Sequence, residues 1–268
     1  MSGEGFSWGR VGGVMLRQAY LHKRTLHRWM EILYWPTLDV LLWGFITLYL
    51  ARNQSGLPGV VAFFLGALIL WDILFRAQQS VAIGFLEDVW SNNLLNVWIS
   101  PVKPVEYLTG SILIGVARVG IGVGVAIGLA AAVYGFNFFS IGVSLAPFIL
   151  TLAVMGWAIG ILTTALILRF GPSVEELAWA LAFLFQPFSA VFYPVRVLPV
   201  VMRGIAHVVP ASHVFEGMRQ VLARGAFPSA ELVRAAGLDL LYLIIAVLYF
   251  TRVLRIVRDR GLLSRFGE

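Results

Sequence analysis

Long apolar runs constrain this chain more than any other feature of its sequence. The longest, residues 105–134, has Glu106 and Arg118 as its only charged side chains. An α-helix needs about 20 mostly apolar residues to cross a bilayer. Five further runs approach this criterion, at 33–50, 57–75, 145–168, 177–192 and 235–253. The pattern predicts an all-α integral membrane protein with six transmembrane helices, forming one domain over residues 1–268.

The composition supports this membrane class. Only 13% of the residues are charged and 59% are hydrophobic, whereas soluble domains have about 25% charged residues. The net charge of +6 does not indicate a nucleic-acid partner, because the basic residues are concentrated near the chain ends. The absence of cysteine excludes disulfides and thiolate metal sites. Residues 1–13 are glycine-rich and lack the pattern of a cleavable signal.

The distribution of basic residues predicts the orientation. Ten of the 20 Lys and Arg residues lie in the two tails, so we expect both termini to be cytoplasmic. Residues 196–224, which would then lie outside, run against this rule because they also carry four arginines.

Residues 8–32 have the pattern of an amphipathic helix lying on the membrane. Arg10, Arg17, Arg24 and Arg28 share one face at 100° per residue, and apolar side chains cluster on another. We expect the arginines to snorkel at the membrane interface. The alternative is a solvated helix that packs on its own protein.

The segment 84–104 is the longest polar interruption in the first two thirds of the chain. It nevertheless has an apolar stripe that includes Phe85, Val89 and Trp90, next to the acidic pair Glu87 and Asp88. This predicts a short cytoplasmic helix whose apolar side docks on a partner. The alternative is that the stripe packs on the membrane ends of the same protein.

Two other patterns predict unusual packing. Prolines divide residues 194–226 into pieces too short to cross a bilayer, which predicts two re-entrant helices in the outer half of the membrane. Gly120, Gly124 and Gly128 form consecutive small-xxx-small steps that favour close helix packing. Packing within one subunit and packing across a dimer are equally compatible with this spacing.

Charged residues inside membrane spans are candidates for function. Asp72 and Arg76 are spaced to neutralise each other, and Asp39 and Asp239 lie nearer span ends. Arg118 lies deep in its span and needs an acidic partner, backbone carbonyls or a hydrated cavity. Structural pairing and a place on a substrate path are both compatible with that position.

Enzymatic signatures are incomplete in this sequence. Glu175 and Glu176 resemble the double-Glu motif of intramembrane prenyl-protein proteases, but Ala180 stands where that motif has Arg. His207, His213 and Glu216 lack zinc-protease spacing, so we predict no metal site. No GxSxG or phosphate-loop motif is present, so ATP is not bound by that route.

Three segments resemble the ABC-2 type family of ABC-transporter permeases. They are residues 85–110 (FLEDVWSNNLLNVWISPVKPVEYLTG), 169–199 (RFGPSVEELAWALAFLFQPFSAVFYPVRVLP) and 205–222 (IAHVVPASHVFEGMRQVL). Each is a pattern of proline, glycine and aromatic residues, and their occurrence in this order is fairly specific. The resemblance covers nearly the whole chain.

This resemblance implies the membrane subunit of a bacterial ABC exporter in the inner membrane. The subunit would dimerise with a second copy, contact lipid and bind two ABC ATPase subunits, which would hold the ATP and Mg. The implied ATPase contacts are Phe85, Glu87, Asp88, Val89, Trp90, Asn92 and Lys103, with Gly171 and Glu175 in a second loop. The re-entrant helices would shape an outer gate, and the substrate would be a drug, a lipid or a lipid-linked polysaccharide.

Aromatic residues of the fifth run are candidates for the translocation pathway, together with Arg118. They are Phe183, Phe185, Phe188, Phe192 and Tyr193. The alternative for each ring is contact with lipid or with neighbouring helices. Two other functions stay open. A secondary transporter or channel would be expected to have repeated halves or matching helix breaks, which are not evident. An intramembrane enzyme would need the motifs that are incomplete here.

Overall fold

Helices account for nearly all of the regular structure in this chain. The computed structural model describes residues 5–23, 26–53, 60–138, 146–225 and 227–261. The helices are α1 (Trp8–Lys23), α2 (Leu26–Asn53), α3 (Val60–Trp90), α4 (Leu94–Ile99), α5 (Pro104–Tyr134), α6 (Ala146–Phe170), α7 (Leu177–Phe185), α8 (Val200–Ala206), α9 (Pro210–Arg224) and α10 (Ser229–Asp259). These ranges contain no β-strand, so the prediction of an all-α fold is confirmed.

Four stretches of the described chain are long and apolar enough to cross a membrane. They are Leu33–Leu50 within α2, and the whole of α5, α6 and α10. They correspond to four of the six predicted runs. The run at 57–75 falls mainly on α3, a single helix of 31 residues. At 1.5 Å per residue α3 is about 46 Å long, which exceeds the bilayer core.

The predicted run at 177–192 is not one continuous helix. Only Leu177–Phe185 is helical there, and turns follow from Gln186. A nine-residue helix is about 14 Å long, roughly half of the bilayer core. Pro187 and Pro194 lie just beyond it and disfavour continuation, because proline removes a backbone donor and clashes with the preceding turn. Apolar composition therefore overestimated the helix length.

Helix α6 lies at the centre of the fold. Its most apolar region is 61% buried, whereas the other three membrane-length helices are 17–28% buried. Gly156 and Gly160 allow α6 to pack closely on α3. A Cβ atom at Gly156 would stand 2.4 Å from the Leu74 carbonyl oxygen, and one at Gly160 would stand 2.6 Å from that of Gln78. The two glycines therefore set the distance between these helices.

The glycines of α5 that the sequence singles out do not take part in this packing. A Cβ atom added at Gly120, Gly124 or Gly128 would have no described atom within 4 Å apart from the neighbouring backbone of α5. All three are exposed on the surface of the subunit. Packing within one subunit is thus not their role in this part of the chain.

The predicted helix over residues 8–32 is divided between α1 and the start of α2. The arginines of α1 face the protein, and its exposed side carries Trp8, Leu16 and Tyr20. The prediction that Arg10 and Arg17 snorkel at the membrane interface is therefore wrong, because both bind acidic side chains of the protein, as in the alternative of a helix that packs on its own protein. Residue 24 and the side chain at position 28 lie outside the described part of the chain.

Residues 194–226 contain two short helices, α8 and α9, as the prolines predict. Pro194 and Pro199 precede the first, and Pro210 begins the second, where proline is well tolerated. Alanine 226 itself is not among the described residues.

Candidate functional site

The end of α3 is buried rather than open to a partner. Phe85 and Asp88 are 0% exposed, Glu87 is 2% exposed and Val89 is 5% exposed. These residues belong to the last turns of a long helix that packs against α1, α5 and α6. The prediction that the stripe containing Phe85 and Val89 stays unburied is therefore wrong, because neighbouring helices of the same chain cover it.

Asp88 is the centre of a buried polar cluster. Arg17 of α1 donates a hydrogen bond to its carboxylate at 2.5 Å, and the Tyr107 hydroxyl of α5 donates another at 2.8 Å. Burial opposes the charge on Arg17, but the hydrogen bond and charge of Asp88 raise the pKa of Arg17 above its ordinary value. The guanidinium therefore stays charged and links three helices.

A second polar cluster surrounds Glu106 in the first turn of α5. Glu106 accepts two hydrogen bonds from Arg10, at 2.7 and 2.8 Å, which is the bidentate geometry of a strong ion pair. The backbone N–H groups of Ser7 and Lys103 also donate to Glu106, each at 2.8 Å. The Lys103 contact caps the helix, because it satisfies a backbone donor that has no partner within α5.

The two predicted partner contacts lie next to each other in the structure. Trp90 is 50% exposed, and its indole N–H donates to the Glu175 carboxylate at 3.0 Å. Its ring also stacks on that of Trp179, with the centroids 6.3 Å apart. The end of α3 and the loop after α6 therefore form one continuous surface. Asn92 and Lys103 are exposed as well.

Two backbone positions shape this surface. Asn92 has φ of 52°, a left-handed conformation that asparagine tolerates better than most residues, and it turns the chain from α3 into α4. Gly171 has φ of 88° with extended ψ, a combination that is essentially restricted to glycine. Gly171 is buried, so its role is to turn the chain between α6 and α7.

Helix α4 contributes exposed apolar side chains that the sequence pattern did not single out. Leu94, Val97 and Trp98 face the protein, whereas Leu95 is 46% exposed and Ile99 is 75% exposed. The helix is only six residues long, which is too short for its periodicity to stand out. Trp90, Leu95 and Ile99 are thus exposed apolar side chains at the end of α3 and on α4.

A cleft of about 570 Å³ runs between α2, α3, α5 and α7. Aromatic and charged side chains dominate its walls; they are Trp35, Asp39, Trp43, Trp71, Asp72, Phe75, Arg76, Glu87, Trp90, Arg118, Trp179, Phe183 and Phe192. Its lining extends along α3 from Leu68 to Trp90. The 22 helical rises from Leu68 to Trp90 correspond to about 33 Å, which is close to the thickness of a bilayer core.

The structure divides the predicted pathway residues into two groups. Arg118, Phe183 and Phe192 line the cleft. Phe185 instead makes an edge contact with the Tyr242 ring, and Phe188 packs against the hydrophobic core. Tyr193 donates its hydroxyl hydrogen to the Pro187 carbonyl oxygen at 2.7 Å. Phe183 and Phe185 are two positions apart on α7 and so point to different sides of that helix.

The charges in the cleft are arranged unevenly. Arg76 binds Asp72 at 2.5 Å with i,i+4 spacing, as the sequence predicts. Arg118 lines the same cleft and is not without an interaction partner. No described residue donates a hydrogen bond to the carboxylate of Asp39, which is half-buried on the opposite wall.

A separate polar cavity of about 670 Å³ lies between α9, α10 and the loop before α8. His213 joins α9 to α10 through Glu231, with 2.7 Å between Nδ1 and the carboxylate. Glu216 accepts a hydrogen bond from the Val195 backbone at 2.7 Å. Among the described residues, no group of three His, Asp or Glu side chains is placed to hold a metal ion.

Comparison with known families matches most of this architecture. A family model described as ABC-2 family transporter protein matches residues 44–254. The match begins within α2 and ends near the end of α10. No curated protein matches the sequence.

Proposed function

The chain belongs to the ABC-2 family of transporter proteins, and from that premise we propose that it is the permease subunit of an ATP-driven bacterial exporter. It is a membrane protein and a transport subunit, and it is not itself catalytic. Members of this family generally work with ABC ATPase partners. We infer that two such ATPase subunits bind this chain and its second copy, and that they hold the ATP and Mg.

The observation that carries the proposal is a set of exposed apolar side chains that we call the coupling surface: Leu95 and Ile99 of α4, and Trp90 at the end of α3. They lie in a polar segment that the charge distribution predicts to be cytoplasmic. Exposed apolar side chains close together in one segment are typical of a partner interface. Trp90 also binds Glu175 of the loop after α6. The connection of this segment to α3 would carry motion from the ATPase to the walls of the cleft.

The proposed topology has six crossings in the inner membrane, with both termini and the segment 84–104 in the cytoplasm. Helices α2, α3, α5, α6 and α10 supply five of them, and α7 with the turns that follow it supplies the fifth in chain order. Helices α8 and α9 would enter the outer half of the membrane and form the outer gate. Backbone without helical structure is tolerated at that depth where protein or a wet cavity shields it.

We also propose that the exposed glycines of α5 pack against a second copy of the chain. Gly120, Gly124 and Gly128 have open space beyond them in the described subunit, and such a face allows close approach of another helix. Leucine at position 124 is then expected to shift the purified permease from dimer to monomer. A dimer that persists would place the contact elsewhere.

The central test replaces Ile99 with glutamate and measures binding of an ABC ATPase subunit co-expressed with the permease. Ile99→Glu removes an apolar contact and adds a charge, so the affinity is expected to fall at least about tenfold. Ile256→Glu is the matched control, because Ile256 is 41% exposed near the same predicted membrane side. ATPase binding and ATP-driven export that are unchanged in Ile99→Glu would contradict the coupling role.

The buried acidic pair is not suited to this test. Reversing Glu87 and Asp88 to arginine would place two uncompensated charges among helices α1, α5 and α6. The variant would therefore lose stability before it reported on a partner.

A further inference from the structure

We propose that the cleft between α2, α3, α5 and α7 binds a lipophilic organic cation, with Asp39 as the residue that recognises the positive charge. The inference rests on the proposed transport function and names the class of substrate. It favours a cationic amphiphile over an anionic lipid-linked sugar.

The first observation is the face that α2 presents to the cleft. Trp35, Asp39 and Trp43 all line it, and they are spaced four residues apart. Side chains at i and i+4 are neighbours on one side of a helix. Asp39 therefore lies one helical turn from each of two tryptophans on the same side of α2. A carboxylate close to aromatic rings attracts an organic cation, through Coulomb attraction and through the negative face of a ring.

The second observation is the balance of charge on the walls. Three carboxylates, those of Asp39, Asp72 and Glu87, line the cleft with two guanidinium groups, those of Arg76 and Arg118. Arg76 is bound to Asp72. No described residue donates a hydrogen bond to Asp39, and Arg76 acts on it only through charge attraction. A ligand that brings a positive charge would give the Asp39 carboxylate a direct partner.

The third observation is the pairing of aromatic rings within the lining of the cleft. The rings of Trp43 and Phe192 stack with their centroids 5.3 Å apart, and those of Phe75 and Phe183 are 5.0 Å apart. These rings offer flat apolar surface to the body of a ligand. A small hydrated metal ion would gain little from such walls. A cation whose charge is spread over a hydrophobic body would contact both the rings and Asp39.

The test uses the purified full-length permease in lipid nanodiscs and measures equilibrium binding of radiolabelled tetraphenylphosphonium. Tetraphenylborate is the matched control ligand, because it has the same shape and the opposite charge. Binding to empty nanodiscs is subtracted. We expect saturable binding of tetraphenylphosphonium and none of tetraphenylborate. Saturable binding of both with similar Kd, or of neither, would overturn the inference.

Variants then locate the charge recognition. Asp39→Asn is expected to raise the Kd at least tenfold, and Asp39→Glu to keep it within about threefold. Trp43→Leu is expected to weaken binding through lost ring contacts. Asp239→Asn is the matched control, because Asp239 is a carboxylate of α10 that does not line the cleft. An unchanged Kd in Asp39→Asn would overturn the role of Asp39, and thermal unfolding checks that each variant is folded.

The lipid of the nanodisc is varied to distinguish two sources of the cation, a lipid headgroup and a free lipophilic cation. A Kd that is higher in phosphatidylcholine discs than in discs of digalactosyldiacylglycerol, which also has no net charge and so does not concentrate the cation, would assign the site to the choline headgroup of a lipid. Equal values would assign it to free lipophilic cations; both results support recognition of an organic cation. Because the assay contains no ATPase, it is independent of coupling. Loss of cation binding with intact ATPase binding would refute this inference alone.

Discussion

Removal of Arg17 should destabilise the protein more than removal of its partner Asp88. Arg17 is 24% exposed in its side chain, whereas the Asp88 carboxylate is fully buried. Arg17→Met removes the guanidinium that binds a fully buried carboxylate, to which the Tyr107 hydroxyl still donates a hydrogen bond. Asp88→Asn leaves a guanidinium that can reach water. The two variants differ in stability because the charge left by Arg17→Met is buried, whereas the charge left by Asp88→Asn is partly exposed to solvent.

The expected magnitudes follow from these burials. Removing one partner of a buried ion pair costs about 3–5 kcal/mol in the free energy of unfolding, and Arg17→Met should fall in that range. Asp88→Asn should cost about 1–3 kcal/mol, because the remaining charge is partly solvated and the amide keeps a hydrogen-bonding oxygen. The double variant leaves neither charge, so it should cost less than the two single changes added together.

The measurement is a double-mutant cycle, in which all four proteins are unfolded by a denaturant titration in detergent micelles. The coupling free energy between positions 17 and 88 is expected to lie between about 1 and 3 kcal/mol. Arg234→Met is the matched control. Arg234 is 63% exposed and lies 3.2 Å from Glu231, so its loss should cost no more than about 1 kcal/mol.

Two results would refute this reasoning. If Arg17→Met costs no more than Arg234→Met, the buried contact does not stabilise the fold. If the effects at positions 17 and 88 are additive, the two side chains do not interact in solution. Retained mobility on size-exclusion chromatography checks that each variant remains a single species.

Three further predictions follow from the packing and the topology. Gly156→Ala should lower the free energy of unfolding by about 1–3 kcal/mol because of the close Leu74 carbonyl. Gly237→Ala is the control, because a Cβ atom at Gly237 would have no described atom within 4 Å. Equal unfolding temperatures of the two variants would contradict the close contact at Gly156. Gly171→Ala should destabilise the turn by about 1–3 kcal/mol, because alanine is strained at φ of 88°; an unchanged unfolding temperature would contradict this. A cysteine at Asn92 should react with an impermeant reagent only after permeabilisation, because the segment 84–104 is predicted to be cytoplasmic. Labelling in intact spheroplasts would show that the proposed topology is inverted.

The helical class of the fold could be predicted because apolar composition fixes it. Residues 105–134 form a helix in the structure with little change in boundary, since Pro104 starts it and Gly135 ends it in a left-handed conformation. The fifth predicted span could not be placed in the same way. Composition measures how apolar a segment is, whereas the turns after Phe185 depend on the prolines and on local packing.

The polar segment at 84–104 illustrates a different limit. Its apolar stripe was correctly identified, but the side chains that cover it come from distant parts of the sequence. Asp88 meets Arg17, 71 positions away, and Gly84 lies against Gln18. Sequence periodicity shows that a face is apolar and says nothing of what covers it. The short helix α4 was missed as the source of exposed apolar side chains because six residues are too few for a periodic pattern to stand out.

The candidate cleft was only partly predictable. Arg118 and Phe183 could be chosen because a deep charge and an aromatic-rich span are visible in the sequence. The face formed by Trp35, Asp39 and Trp43 is also visible as i, i+4 spacing, but its importance depends on α3 and α7 standing opposite. Gly156 and Gly160 carry the same small-residue spacing as the glycines of α5, yet only the contacts distinguish the two sets.

The ion pairs that join α1 to α3 and α5 also set an order of events during synthesis. Arg10 and Arg17 leave the ribosome 96 and 71 residues before the carboxylates that bind them. At about 5–20 residues per second, the arginines wait on the order of ten seconds for Glu106 and Asp88. During that interval both side chains are available to anionic headgroups of the membrane surface that the helix meets. The N-terminal helix therefore makes these two ion pairs only after the end of α3 and the start of α5 have been synthesised.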